Sequence, residues 1–412
     1  MSTQVPEWLN TAFVEKLLKD NECNKKVSLI SVDVKSAVPK GENYLGILRR
    51  VEVSYTNEDE KDLRKYTFIT KSPPLCESTR KFMNNVKALQ TETIVYKTIL
   101  PAMYQLIDKK EGIFIKRLSP QHFESSLKDT LVLEDMTMKG YIMKDRLKLF
   151  DFDHAKAVVI SLARFHGLSH AIYLRNPTLF YNVHENHFTD SPDRLNDEKE
   201  FSEHRINMLI KELGKCSKLP ASYYIDKLLK VTDNIVDRVR EVVKPIKDSI
   251  SVLNHGDCWV NNILFHYNSV TENIDDVKLI DFQMCRFSSP VLDLHYFLYT
   301  SVRAEVLFGR KNDLLQEYYK EFSRILTAFN HEPKEYAFEQ FEKEFYEKEY
   351  FGFFNSITKL YAVLAEPVYC SEEAKAWKNG KEKFAVNKCA NNELLEDMFI
   401  RLFPYFEEKG FI

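Results

Sequence analysis

The apolar periodicity of this chain changes character once, and that change sets the fold class. Through the first third, apolar and polar residues alternate at a period of two; beyond about Asp151 the apolar residues recur at three and four. Ile47, Arg49, Val51, Val53 and Tyr55 share one face of a predicted strand, with Leu48, Arg50, Glu52 and Ser54 on the other. A weaker alternation over Ser31–Val38 and a run over Lys65–Lys71 add further strands, and short ones are expected at Gly112–Ile115 and Thr130–Leu133. Pro73 and Pro74 interrupt the strands. A helix is predicted from about Ser78 to Leu100, with Phe82, Val86, Leu89, Thr93 and Tyr96 on one stripe and Pro101 at its end. The rest is helical in pattern, the first helix capped by Asp153, with one β-like pair embedded at Ile263–Tyr267 and Val277–Phe282. A sheet with one helix, then a helical body, is an α+β arrangement of two units with a boundary near Glu134–Tyr141. Small ligands favour the cleft between two such units.

Composition narrows the function classes. A formal net charge of -3 gives no electrostatic reason to expect nucleic acid or an anionic membrane as a partner. No run reaches the roughly 18 uninterrupted apolar residues of a membrane span. Charged residues interleave with apolar ones from Met1 to Asp20, unlike a secretory leader. The seven cysteines are scattered without a paired spacing, which favours a reducing, cytoplasmic setting.

Phosphoryl transfer needs covered phosphates, a held metal ion and an aimed hydroxyl, and four parts of the sequence match those needs. In His255-Gly256-Asp257-Cys258-Trp259-Val260-Asn261-Asn262, Asp257 and Asn262 are five residues apart. That is the spacing between a kinase catalytic Asp and its magnesium-binding Asn. Asp281 ends a strand 24 residues after Asp257, where a carboxylate suits a hard, oxygen-seeking cation. Lys71 ends another strand, and Glu92 lies on the apolar stripe of the following helix, where a carboxylate needs a cationic partner. Gly41-Glu42-Asn43-Tyr44-Leu45-Gly46 reads in isolation as a hairpin turn; its place ahead of Lys71 makes it a candidate phosphate cover.

These segments resemble the aminoglycoside phosphotransferase and choline kinase branch of the protein-kinase-like fold. The closer resemblance is to the insect ecdysteroid kinase-like family, also called CHK-kinase-like. Pro6-Glu7-Trp8-Leu9, Gly41-Glu42-Asn43-Tyr44, Leu131–Met136, Leu162-Ala163-Arg164-Phe165-His166, His255–Asn262 and Asp281-Phe282-Gln283 carry it. The resemblance implies a bilobal fold: a small antiparallel-sheet N-lobe with one key helix over residues 1–135, and a large, mainly helical C-lobe over 136–412. It implies ATP with Mg2+, and a hydroxylated small molecule, an ecdysteroid or a foreign compound, as acceptor. Asp257 becomes the base, Asn262 and Asp281 the metal ligands, and Lys71 with Glu92 the phosphate-ordering pair. Gly41, Glu42 and Asn43 cover the nucleotide, and Glu134, Asp135 and Met136 form the hinge that reads adenine. Asp293, with His255, steadies the catalytic loop.

A catalytically silent, kinase-shaped binder of an apolar ligand or a partner is the alternative, and it has to explain why Lys71, Asp257, Asn262 and Asp281 are all present. His166 reads as a hydrogen-bonded core histidine, and Cys258 as a packing residue whose thiol Asp257 disfavours ionising. The aromatic run from Tyr336 to Phe354 reads as core.

Overall fold

The computed structural model describes residues 5–21, 27–38, 46–57, 62–74, 77–127, 129–183, 192–246, 249–331, 336–366, 389–390 and 392–412. Strands β1 (Val27–Ser36), β2 (Ile47–Asn57), β3 (Leu63–Ser72), β4 (His122–Phe123) and β5 (Leu131–Glu134) form one antiparallel sheet in the order β1-β2-β3-β5-β4. The alternation expected along β2 holds, because Val51, Val53 and Tyr55 turn inward beside Phe68 and Val132. Val14, Leu17 and Leu18 of the Thr11–Asn21 helix close over that face and bury it. In the register, Lys71 pairs with Leu48 on one side and Leu131 on the other, so a lysine sits in the middle of the sheet rather than at an edge.

The helix predicted from Ser78 to Leu100 is instead a broken run. It comprises Glu77–Asn85, Ala88–Ile94, a π turn at Val95–Ile99, and Leu100–Asp108. The first break is at Lys87, whose φ of 49° is left-handed. Asn84 and Asn85 just before it have side chains that compete with helical hydrogen bonds. Pro101 does not end the run. It stands in the first turn of Leu100–Asp108, where its missing N–H is tolerated, and the π turn absorbs the change of register. Gly112–Ile115 is not a strand; His122–Phe123 pairs with β5 in its stead.

The helical body begins at Phe152–Tyr173, capped by Asp151, whose carboxylate accepts from His154 N; Asp153 lies inside the first turn. This helix packs on Lys311–Ala328. A Cβ at Gly167 would stand 2.7 Å from Ile325 Cγ2, so glycine is what lets the two helices approach so closely. Embedded in the body are β6 (Ile142–Met143), β8 (Ile263–Tyr267) and β9 (Ile274–Leu279) in one small sheet. A second pairs β7 (Val252–Asn254) with β10 (Arg286–Ser288). The embedded hairpin, the antiparallel sheet and the mainly helical remainder make up the expected α+β architecture.

Candidate active site

Phe282 is the hub that joins the two parts. It is fully buried, with its ring centroid 5.3 Å from Tyr96, 5.6 Å from Phe165 and 5.1 Å from the His255 imidazole. Tyr96 follows the Ala88–Ile94 helix, so this cluster ties that helix to the His255–Asn262 loop. The residue before it, Asp281, has a φ of 68° and ψ of 64°, a left-handed conformation that a non-glycine residue adopts only when its surroundings enforce it. The turn carries its carboxylate towards the sheet.

There it meets Lys71. Lys71 Nζ lies 2.6 Å from Asp281 Oδ1 and 2.7 Å from Glu92 Oε2. Both Lys71 and Glu92 are buried, so each needs the other's charge. Burial would lower the lysine, but Asp281 and Glu92 outweigh it and hold the ammonium above its ordinary value. Burial pushes the Glu92 carboxyl up, to about 7, against the pull of Lys71. Gly46 lies against the same lysine: a Cβ there would be 3.7 Å from Lys71 Cε. Gly41, Glu42 and Asn43 lie outside the described residues.

The Asp257 side chain accepts twice. Tyr296 Oη–H donates to Oδ1 at 2.5 Å, and Asn262 Nδ2 donates to Oδ2 at 3.2 Å and to the Asp257 carbonyl at 2.9 Å. The five-residue spacing therefore closes a small turn, as read from the sequence. Burial, and then the charge of Asp281, push the Asp257 carboxyl above the usual carboxylate range; the Tyr296 hydrogen bond opposes them.

Asp293 fastens the loop from beneath. Its Oδ2 accepts from His255 N at 2.5 Å and lies 3.0 Å from His166 Nε2, while Oδ1 accepts from Gly256 N at 2.9 Å. Burial alone would raise this carboxyl. The His166 hydrogen bond and the charges of His166, His255 and Arg286 hold it below its ordinary value. His255 Nε2–H donates to the Ile280 carbonyl at 2.9 Å, which leaves Nδ1 as an acceptor facing Asp257 N. One imidazole thus couples the His255–Asn262 loop to the residue before Asp281.

Glu134, Asp135 and Met136, the segment expected to form a hinge, behave differently from one another. Asp135 is buried, with Oδ2 2.6 Å from Arg50 Nε and Oδ1 accepting from Thr137 N and Oγ1. The Glu134 carboxylate pairs with Lys139, and Met136 is buried. The carboxylates here are spent on holding the turn. Tyr296 was not singled out from the sequence, and Gln283 entered only as part of the Asp281-Phe282-Gln283 segment. Asn254 Oδ1 accepts from Asp293 N and Gln283 Nε2 donates to Asp281 Oδ2 at 3.3 Å. Tyr296 lies one helical turn beyond Asp293 on Val291–Ser301, the signal that could have found it.

The donor set suits a hard cation. Asn262 spends its amide N–H groups on Asp257, leaving the amide oxygen as a donor atom. Ile280 N donates to Asn262 O at 3.0 Å, which sets Asn262 beside the residue preceding Asp281. Glu92 and Asp281 share the single ammonium of Lys71, and Asp257 lies within the field of Asp281, an excess of negative charge that a divalent cation with phosphate and water ligands would offset.

Residues 40–331 match the profile of the ecdysteroid kinase-like family. The chain belongs to that family. This ecdysteroid kinase-like protein is also 32% identical over 60 residues to 4-hydroxytryptamine kinase of Psilocybe cyanescens. That stretch covers 15% of this chain and 17% of the relative. Among solved structures, choline kinase from Cryptosporidium parvum Iowa II aligns over 97% of this chain and 96% of its own, with 11% identity and a TM-score of 0.48. The GDP complex of wild-type aminoglycoside 2'-phosphotransferase-IIIa aligns over 97% and 99%, with 11% identity and a TM-score of 0.38.

Proposed function

We propose that this protein transfers the γ-phosphoryl group of ATP to a hydroxyl of a small molecule, an ecdysteroid or a hydroxylated foreign compound. One observation carries the reading. Lys71, 210 residues away in sequence, is brought onto Asp281, beside the Asp257–Asn262 turn. Structural ion pairs do not require a second, strained carboxylate and an Asp–Asn turn at the same place. The family match and its kinase relative support the same chemistry.

In this reading residues 1–135 and 136–412 are the two lobes, and the nucleotide lies between them. Lys71, oriented by Glu92, contacts the α- and β-phosphates. Asp257 Oδ accepts the acceptor's proton as its oxygen bonds to the γ-phosphorus and the bond from that phosphorus to the ADP oxygen breaks. Asn262 and Asp281 would hold Mg2+, which when bound neutralises charge on the phosphate oxygens. His255 and Asp293 keep the loop in place throughout.

The test is Mg2+-dependent conversion of ATP to ADP, with the phosphoryl group recovered on an acceptor from a panel of ecdysteroids, plant phenolics and glycosides. Turnover that requires Asp257 supports the reading. A panel on which wild type equals Asp257→Asn rejects it. A sharper prediction concerns Tyr296. Its O–H favours ionised Asp257, so Tyr296→Phe raises the Asp257 pKa and leaves less base at a given pH. The acidic limb of the kcat/KM profile should move to higher pH, with the alkaline limb unmoved. A limb that stays put or moves down contradicts it.

A further inference from the structure

The residues of phosphoryl transfer leave one recess of the helical body unused. A groove of about 440 Å³ is lined by Phe308, Lys311, Asn312, Tyr346, Tyr405 and Lys409. That volume lies in the range of small-molecule sites. Three stretches of chain build it: residues 307–313, the Phe338–Glu347 helix, and the end of the Asn392–Glu408 helix.

Glu349, fully buried, ties the lining together. Its Oε1 accepts from Tyr299 Oη–H at 2.6 Å, from Tyr405 Oη–H at 2.6 Å and from Lys311 Nζ at 2.8 Å. Burial would raise this carboxyl, but Lys311 and the hydrogen bonds from Lys311, Tyr299 and Tyr405 hold it down, to about 2. Two ammonium groups share this one carboxylate. Lys311 spends two of its three N–H groups, on Glu349 and on Tyr405 Oη at 3.1 Å. Lys409 Nζ stands 3.5 Å from Oε2, which receives no hydrogen bond, and it has no acceptor among the described residues. Both ammonium groups lie over the same two rings. Lys311 is 5.3 Å from the Tyr346 centroid and 5.0 Å from that of Tyr405; Lys409 is 5.1 Å and 5.3 Å away. Asp313, the acid on the wall, is already paired with Arg310. The groove therefore keeps one positive charge in excess. The Lys409 side chain is 36% exposed and that of Lys311 12%, so a ligand can reach both.

An anion entering the groove relieves the repulsion between the two lysines and gives Lys409 the acceptor it lacks. The first turn of the helix Lys311–Ala328 opens on the same space, and its N-cap side chain makes no capping bond, so the helix end adds to the positive potential. We propose that this groove binds a small aromatic molecule carrying an oxyanion, with the oxyanion on Lys409 and Lys311 and the ring against Phe308, Tyr346 and Tyr405. Asn312, whose oxygen accepts from Tyr346 Oη, offers its amide N–H groups as further donors. The groove shares no residue with Lys71, Glu92, Asp257, Asn262 or Asp281, so its occupancy is independent of the kinase reading.

Calorimetry on the full chain, without nucleotide, compares phenyl phosphate, benzoate and benzylamine, with inorganic phosphate as the probe that has no ring. Phenyl phosphate and benzoate should each bind about tenfold or more tightly than benzylamine, the ratio of one charge-assisted contact. Phenyl phosphate should exceed inorganic phosphate by a similar factor, because only the former meets the aromatic walls. Lys409→Gln should weaken both aryl oxyanions by about tenfold with the melting temperature little changed, since Lys409 is partly exposed and makes no hydrogen bond through its ammonium. Lys409→Arg should retain them. Lys199→Gln, which removes a partly exposed lysine outside the groove, should leave them unchanged. Benzylamine binding as tightly as phenyl phosphate overturns the site. So does an affinity that survives Lys409→Gln, or inorganic phosphate that matches phenyl phosphate.

Discussion

Asp257→Asn should lower kcat by about 10²- to 10⁴-fold, the range that a positioned general base supplies. The melting temperature should move little. The substitution is isosteric, and the Tyr296 and Asn262 hydrogen bonds can re-form on an amide oxygen and a reoriented neighbour. Removing a buried carboxyl whose ionisation burial and Asp281 both oppose relieves repulsion, so stability should hold or rise slightly. Steady-state turnover beside a thermal melt reads both. A kcat within threefold of wild type would show that the carboxylate accepts no proton in the rate-limiting step. A large loss of stability would mean that Asp257 is a structural group.

Gly256→Ala should be the most destabilising single-methyl change in the His255–Asn262 loop, by about 3 kcal/mol or more on the scale of severe backbone and packing conflicts. Gly256 has a φ of 80°, which an L side chain rarely adopts. An added Cβ would lie 2.0 Å from the Met284 carbonyl oxygen, and a backbone atom cannot swing aside as the end of a side chain can. Relief would require the loop to leave Asp293, whose oxygens hold His255 N and Gly256 N. Urea denaturation should show the lower midpoint with an unchanged slope, and activity should fall with it. Gly167→Ala tests a helix-packing clash without a positive φ, because the added Cβ would meet Ile325 Cγ2 at 2.7 Å and Cβ at 2.8 Å. A Gly256→Ala protein as stable as wild type would show that the loop has slack at this turn.

These two residues divide the legible from the hidden. Asp257 and Asn262 were readable because the turn that brings them together spans five residues, so local spacing implies proximity. Lys71 and Glu92 were readable for another reason: a carboxylate on an apolar stripe must find a cation, and the preceding strand offered one. The strand alternation along β2 likewise followed from burial on one face. The broken helix was not legible. Lys87 carries no glycine or proline signal, and a π turn costs too little to leave a compositional mark.

The amino-acid sequence by itself determined the α+β order, the catalytic spacing and the pairing that Glu92 demands, since each depends on near neighbours or on the cost of burying a charge. Tertiary structure alone decided that Tyr296 and His166 serve the loop and that Asp135 holds a turn. Those relations join residues tens to hundreds of positions apart, and no local periodicity encodes which distant side chains a packed core will set side by side.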